Sequence, residues 1–167
     1  TSPKPVGKAK ELVQQAVALI EKDKTEEAIP LLREALSLAP SDVQAHYSLG
    51  YALWKRSQQE AAAVEFRKVL ELDPKHALAQ YFLARIAQAK EQWIRSARLY
   101  EAIVASGQIV YDTYLQLSQV YLRQGQTAKA LQLLQKAVQQ SPLDGSLHYR
   151  LGQVCKQMGQ IENARRS

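Results

Sequence analysis

The sequence has little of the chemistry on which enzymes, disulfide-bonded proteins and membrane proteins depend. A single cysteine, Cys155, among 167 residues excludes an intrachain disulfide. CxxC, HExxH, GxSxG and glycine-rich phosphate-loop motifs do not occur. These residues contain no signal peptide and no apolar run near the roughly 20 residues that span a bilayer. The composition predicts a soluble protein without membrane insertion, and both a cytoplasmic and an exported location stay open.

What the sequence has instead is a repeat with a period of about 34 residues, in the range of helical repeat proteins. HYSLG at residues 46–50 returns as HYRLG at residues 148–152, three periods later. Proline follows the same period, since Pro40 and Pro74 are one period apart, and Pro74 and Pro142 are two periods apart. A chain in which the same helix-ending residues recur at a fixed interval is built from copies of one supersecondary unit.

Each unit is predicted to form two antiparallel helices. In residues 43–73, apolar side chains recur three and four positions apart on both sides of a short break at residues 57–59. Asp42 can cap the first helix, and Pro74 cannot continue the second. Because the break is short, the two helices must fold back on each other. No segment alternates steadily between apolar and polar residues, so no sheet is expected.

The repeated pattern resembles the tetratricopeptide repeat (TPR), whose signature is W-x2-L-G-x2-Y, then A-x3-F, then P, over about 34 residues. Five copies in register carry the pattern over residues 9–167. The matching residues, copy by copy, are Leu12, Gln15, Ala16, Leu19, Ala28, Leu32 and Pro40; His46, Leu49, Gly50, Leu53, Ala62, Phe66 and Pro74; Gln80, Leu83, Ala84, Ala87, Ser96 and Tyr100; Tyr114, Leu117, Ser118, Tyr121, Ala130, Leu134 and Pro142; and His148, Leu151, Gly152, Cys155 and Ala164. The resemblance implies an all-α fold, a right-handed α-solenoid of antiparallel helix pairs.

The repeats predict a linker or tail at residues 1–8 and a single TPR domain at residues 9–167. The expected repeat boundaries are 9–42, 43–76, 77–110, 111–144 and 145–167, the last copy being truncated. The first helix is expected to start near Gly7–Lys8. A second helix of the fifth copy is expected from about Gln160, and the chain ends inside it. These residues are therefore interpreted as a segment of a larger repeat protein.

Small residues recur where the two helices of a pair are expected to touch, because a larger side chain there would force the helix axes apart. These positions hold Gly50, Ala84, Ser118 and Gly152 on the first helices, and Ala28, Ala62, Ser96, Ala130 and Ala164 on the second. Gln108 stands where proline recurs in other copies, so the turn between the third and fourth copies should differ. Gly107 is expected to end the preceding helix in a left-handed conformation.

Residue types that carry catalysis occupy repeat positions and do not gather in one site. His46 and His148 hold equivalent positions three copies apart, so they cannot share a metal. Together with His76 they are interpreted as packing or surface residues. Cys155 fills the position of Leu53 and is interpreted as a small core residue. The expectation is a protein without enzymatic activity, cofactor or metal.

The family resemblance implies a binding groove on the concave face, lined by the first helix of each copy. Residues at i, i+4 and i+7 share one helix face, so each copy contributes a stripe of three. The predicted partner-binding residues are Tyr47, Tyr51 and Trp54; Tyr81, Arg85 and Gln88; Leu115, Gln119 and Leu122; and Tyr149, Gln153 and Lys156, with Arg150 beside the last stripe. The tyrosine rings either pack between adjacent helices with their hydroxyls outward or form a ladder for a peptide, and the sequence leaves both interpretations open.

The net charge of +6 lies in the second part of the chain. Residues 1–75 are neutral, whereas residues 76–167 carry 11 Lys and Arg against 5 Asp and Glu. This balance favours a protein or peptide partner with acidic and aromatic or aliphatic residues. Nucleic acid is a weaker alternative, because the positive residues are scattered and do not form a basic run.

The function expected is a scaffold that holds a peptide or protein segment in the groove, as part of a larger protein. Two alternatives stay open, namely a structural module that self-associates through exposed repeat ends and a substrate-recruiting arm of a larger enzyme. Co-chaperone members of the family hold a C-terminal carboxylate with Lys and Asn on successive first helices. The corresponding asparagine positions hold other residues here, Phe82 among them, so that activity is not expected.

Overall fold

The computed structural model describes the backbone of residues 5–166 and the side chains of residues 7–161. Within that range every regular element is an α-helix, as the sequence predicts. The helices are α1 (Pro5–Glu21), α2 (Thr25–Leu38), α3 (Val43–Lys55), α4 (Gln59–Leu72), α5 (Ala77–Ala89), α6 (Trp93–Ser106), α7 (Thr113–Arg123), α8 (Thr127–Gln140) and α9 (Gly145–Arg166). Residues 1–4 of the predicted linker and the side chain of Ala164 lie outside the described residues. The first helix begins at Pro5, two residues before the predicted start.

Two compact units, Thr1–Leu83 and Ala84–Ser167, divide the chain within α5. In the first unit α1 packs on α2, α2 on α3, and α3 on α4. The core of this unit includes the fully buried side chains of Leu32, Phe66 and Val69. The helix pairs enclose these residues because their apolar side chains recur at helical spacing on the facing sides.

In the second unit α6 packs on α7, α7 on α8, and α8 on α9. The largest fully buried side chains of its core include Tyr100, Ile103, Leu117 and Leu134. The hydroxyl of Ser96 donates a hydrogen bond of 3.0 Å to the backbone oxygen of Ala84, so the small residues predicted at this helix crossing do meet.

The turns inside the helix pairs repeat with the sequence period. One residue in each of four turns has a positive φ, between 56° and 71°. These residues are spaced by one period and are Asp23, Ser57, Glu91 and Gly125. In the second copy the amide of Ser57 donates to the oxygen of Trp54, and the next amide donates to the oxygen of Leu53. This pair of bonds satisfies the last carbonyls of the first helix and reverses the chain within three residues.

The turns between repeats follow the sequence predictions. Asp42 caps α3 by accepting a hydrogen bond of 2.9 Å from the amide of Ala45. Gly107 ends α6 with a left-handed φ of 72°, as expected. After Gly107, where Gln108 replaces the recurring proline, α7 begins only at Thr113, two residues later than the repeat period would place it.

Helix α9 differs from the predicted fifth copy. It runs without interruption from Gly145 to Arg166, whereas the sequence predicts a turn and a second helix from about Gln160. Gly159 is the period-matched turn residue, but it is not among the residues with positive φ. The physical reason is that the residues following it are too few to bury an apolar face of their own, and short helices gain most of their stability from such packing.

The continuous α9 also corrects two predictions about side chains. Gly152 was expected at a helix crossing, but a Cβ built there would meet nothing within 4 Å. Cys155 was expected in the core and is exposed. Both residues lack cover because, among the described residues, no second helix folds back over this face of α9.

Candidate functional site

Four of the predicted partner-binding residues belong to the first unit, and three of them form an aromatic row along α3. The rings of Tyr47 and Tyr51 stack with centroids 6.4 Å apart and planes inclined by 16°. The rings of Tyr51 and Trp54 stack at 6.2 Å and 19°. Because these residues follow one another at about one helical turn, α3 aligns them on one side. All three side chains are half-buried.

Phe82 holds this row in place from α5. Its buried ring lies 5.4 Å from that of Tyr51 and 4.9 Å from that of Trp54, and it stacks on Phe66 at 5.2 Å. Sequence reasoning placed Phe82 only where a carboxylate-clamp asparagine would stand. The signal that identifies it is its aromatic character at a repeat position that holds Ser48 and Gln116 in neighbouring copies.

The tyrosines divide between the two interpretations that the sequence left open. Tyr81 is only 5% exposed and lies edge-on to Phe82 at 5.5 Å, so its ring packs inside the first unit. Tyr47 packs 5.1 Å from the ring of His76 and remains half-buried. Tyr51 and Trp54 both pack against Phe82 and remain partly exposed. The accessible part of this row is therefore carried by α3.

The remaining nine predicted residues lie in the second unit, at the end of α5 and on α7 and α9. The half-buried ones are Arg85, Gln88, Leu115, Gln119, Leu122 and Arg150. Gln88 accepts a hydrogen bond of 3.2 Å from the hydroxyl of Tyr100, so part of its polar capacity is used inside the unit. Tyr149 is 70% exposed, and Gln153 and Lys156 are exposed beside it on α9.

The recurring histidine has a structural role at the start of the first helices. Nε2 of His46 donates to the backbone oxygen of Pro40 at 2.9 Å, and Nε2 of His148 donates to that of Pro142 at 2.8 Å. Gln80, at the equivalent position of the third copy, donates to the corresponding proline oxygen at 3.0 Å. In the second, third and fifth copies these side chains therefore connect the first helix to the turn that precedes it.

Two buried tyrosines of the second unit, Tyr114 and Tyr121, make internal hydrogen bonds. Burial raises the pKa of Tyr121, and the hydrogen bond of 2.6 Å that its hydroxyl donates to Glu101 raises this pKa further. Burial likewise raises the pKa of Tyr114, whose hydroxyl donates to Gln140. Both phenols therefore stay neutral hydrogen-bond donors near pH 7.

Over the described side chains, no three His, Cys, Asp or Glu residues are grouped so that they could hold a metal ion. In the same part of the chain no helix is long and apolar enough to cross a membrane.

Comparison with protein families matches the chain twice to the tetratricopeptide repeat. One match covers residues 13–77 and the other covers residues 121–166, which together make up about two thirds of the chain. Among individual proteins, the human antiviral innate immune response effector IFIT1 is 28% identical over 116 residues. The aligned part is 69% of this chain and 24% of that protein. Superkiller protein 3 of Saccharomyces cerevisiae is 27% identical over 107 residues, which are 64% of this chain and 8% of the yeast protein. The chain thus spans a quarter or less of these relatives.

Solved structures share the fold over most of this chain. MamA of Desulfovibrio magneticus RS-1, from residue 41 to its end, superposes with a TM-score of 0.81 at 26% identity, covering 95% of this chain and 90% of that one. YrrB, a TPR protein with an unusual peptide-binding site, superposes with a TM-score of 0.68 at 23% identity, covering 80% and 69%. These superpositions, with the helix order described above, establish an all-α solenoid fold.

Proposed function

Because the chain belongs to the tetratricopeptide-repeat family of protein–protein interaction scaffolds, we propose that it holds a peptide segment against the aromatic row of α3. The observation that carries this proposal is the stacked row of Tyr47, Tyr51 and Trp54, which packs at a tilt against the buried ring of Phe82. Rings fixed in this way lose little further conformational freedom when a partner binds, which favours affinity. The partly exposed side chains of Tyr51 and Trp54 offer an apolar surface for aromatic or aliphatic side chains.

The charge of the chain adds a preference among peptides. The excess of Lys and Arg lies in residues 76–167, and its long-range attraction favours segments that also carry acidic residues. The partner proposed for the aromatic row is therefore a peptide with aliphatic or aromatic anchors and an acidic stretch. A role as substrate-recruiting arm of a larger enzyme is compatible with the same surface.

In the experiment, random short peptides that lack tryptophan are selected for binding to the full chain. The affinities of the selected peptides are then measured. The test variant combines Tyr51→Gln with Trp54→Gln, because Gln119 and Gln88 occupy the equivalent positions of other copies. The control combines Val64→Ala with Leu72→Ala, which removes exposed apolar groups from the other helix of the same repeat. Circular dichroism melting establishes that both variants fold.

The proposal expects selected peptides that bind the control normally and the test variant about tenfold or more weakly, since anchors of this kind dominate peptide interfaces. Unchanged binding to the folded test variant for every selected peptide would overturn it. The comparison with the control separates loss of the aromatic row from a general loss of apolar surface.

Self-association is a second candidate function, favoured by the uncovered face of α9. Tyr149 is largely exposed there, and Gly152 has open space where the equivalent Gly50 meets a packed ring. In this proposal a helix of a second copy covers that face. Sedimentation over a range of concentrations tests it, and a monomer that persists at the highest concentration would rule it out.

A further inference from the structure

An open cleft of about 980 Å³ lies in the second unit, between the turn that joins α5 to α6 and the turn that joins α7 to α8. It is separate in sequence from every predicted partner-binding residue. Its wall includes Glu91, Trp93, Ile94, Arg95 and Arg98. Ile94 is 66% exposed, which is unusual for an isoleucine in the first turn of a helix that packs against its neighbours.

The corresponding edge of the first unit is closed by ion pairs. There Lys55 pairs with Asp23, and Arg56 pairs with Glu26. Both pairs join the turn of the first repeat to the turn of the second, so charged side chains occupy the space between the two turns. This edge provides an internal reference for the cleft, because the second-unit positions lie two periods further along the chain.

The second unit replaces the pair of Arg56 and Glu26 with uncharged residues. Ile94 stands at the position of Glu26, and Gln124 stands at the position of Arg56. Glu91 and Arg123 occupy the positions of the other pair, but no ion pair joins them in the described structure. The guanidinium carbon of Arg123 instead lies 6.0 Å from the ring centroid of Trp93. The two turns of the first unit are thus bridged by ion pairs, whereas the equivalent turns of the second unit border an open cleft lined by Trp93 and Ile94.

The cleft also carries positive charge that has no partner among the described residues. Arg95 and Arg98 are exposed on its wall, and neither makes a salt bridge or hydrogen bond in this part of the chain. Glu91 is the single acidic residue on the wall. A ligand that supplies carboxylates and an apolar side chain would complement these arginines and the exposed Ile94.

We propose that this cleft is a second peptide-binding site, specific for an acidic segment with one aliphatic or aromatic anchor residue. The anchor packs against Trp93 and Ile94, where it removes exposed apolar surface from water. Carboxylates of the segment pair with Arg95 and Arg98, whose planar guanidinium groups suit bidentate contacts. The site does not depend on the aromatic row of α3.

A peptide fits this cleft better than a nucleic acid does. Single-stranded RNA needs a cationic track along several phosphates together with ring faces for stacking. Here two unpaired guanidinium groups adjoin a strongly exposed aliphatic side chain, and Trp93 already holds Arg123 against its ring. A short acidic segment with one apolar anchor matches that number and arrangement of groups.

The test uses the same peptide selection on the full chain, with oligouridine as a separate fluorescent probe. The first variant combines Trp93→Thr with Ile94→Glu, which introduces the residues found at these positions in the first copy, Thr25 and Glu26. The second variant combines Arg95→Glu with Arg98→Glu at exposed positions, where charge reversal does not disturb packing. The variant of Tyr51 and Trp54 serves as the matched control.

The expected result is a class of selected peptides that is rich in Asp and Glu and has one recurring apolar residue. These peptides bind both cleft variants about tenfold or more weakly and bind the Tyr51 and Trp54 variant normally. A selection in which no acidic peptide loses affinity for the folded cleft variants would overturn the proposal. Oligouridine binding that depends on Arg95 and Arg98, in place of peptide binding, would overturn it as well. Because each pair of variants affects one surface, the failure of either site is read separately.

Discussion

The ring of Phe66 lies so close to Gly50 that a Cβ added to this glycine would stand 2.9 Å from Cε1 of the ring. Phe66 is fully buried, so the ring has no room to retreat. We expect Gly50→Ala to lower the free energy of unfolding by about 1–3 kcal/mol, because overpacking outweighs the helix propensity that alanine adds. Denaturant unfolding followed by circular dichroism measures this change.

Gly152 provides the matched control for that substitution, since it holds the same repeat position three copies later. A Cβ there meets nothing within 4 Å. Gly152→Ala should therefore raise the helicity or stability of the chain slightly, by up to about 1 kcal/mol, through helix propensity alone. Equal destabilisation by the two substitutions would contradict the uncovered face of α9.

The turn residues with left-handed φ lead to a prediction in which glycine stabilises the chain and alanine destabilises it. Ser57 has φ of 59°, a conformation that costs a side-chain-bearing residue free energy and glycine very little. Ser57→Gly is expected to stabilise the protein by about 0.5–1 kcal/mol, after allowing for the greater entropy of glycine in the unfolded chain. Gly125→Ala, at the same point of the fourth copy with φ of 71°, should destabilise it by about 1 kcal/mol. Melting temperatures of the two variants on either side of the wild-type value check both statements.

The bond between His46 and the oxygen of Pro40 predicts which substitutions this position accepts. His46→Gln retains a side-chain N–H donor, and Gln80 already makes the equivalent bond in the third copy. His46→Leu removes the donor and also the contact of 2.7 Å between Nδ1 and Glu65. We expect the leucine variant to be less stable than the glutamine variant by about 1 kcal/mol, the usual net contribution of one hydrogen bond. Equal unfolding midpoints would show that this bond does not contribute to stability.

Much of the fold could be predicted from the sequence because the same pattern of packing residues recurs in successive copies of the repeat. The period places Asp42 at a helix cap, Gly107 at a left-handed helix end and Gly50 at a helix crossing, and the structure confirms each. Helix α9 was mispredicted for a related reason. The signature predicts a turn at Gly159 from the other copies, but a turn forms only where the following segment finds a face to pack against.

The candidate sites were predictable only in part, because the spacing of the repeat does not determine which side chains of different copies contact each other. The sequence indicates that Tyr47, Tyr51 and Trp54 share a face, and their stacking follows from helical spacing. It does not show that Phe82 supports them from another helix, since that contact depends on how the helices pack. The Trp93 cleft was also missed, although its signal is present in the replacement of Glu26 and Glu60 by Ile94 at equivalent positions.

The most direct test of the proposed binding surface uses the two tryptophans of the chain, Trp54 and Trp93, as separate reporters. Trp93→Phe leaves Trp54 as the only source of tryptophan emission, and Trp54→Phe leaves Trp93. Each variant is titrated with a tryptophan-free peptide that binds the wild-type chain but binds the Tyr51→Gln, Trp54→Gln variant weakly. A blue shift of the Trp54 emission on binding, with the Trp93 emission unchanged, is the result that the aromatic row of α3 predicts. An unchanged Trp54 emission at saturating peptide, or a shift confined to Trp93, would contradict it.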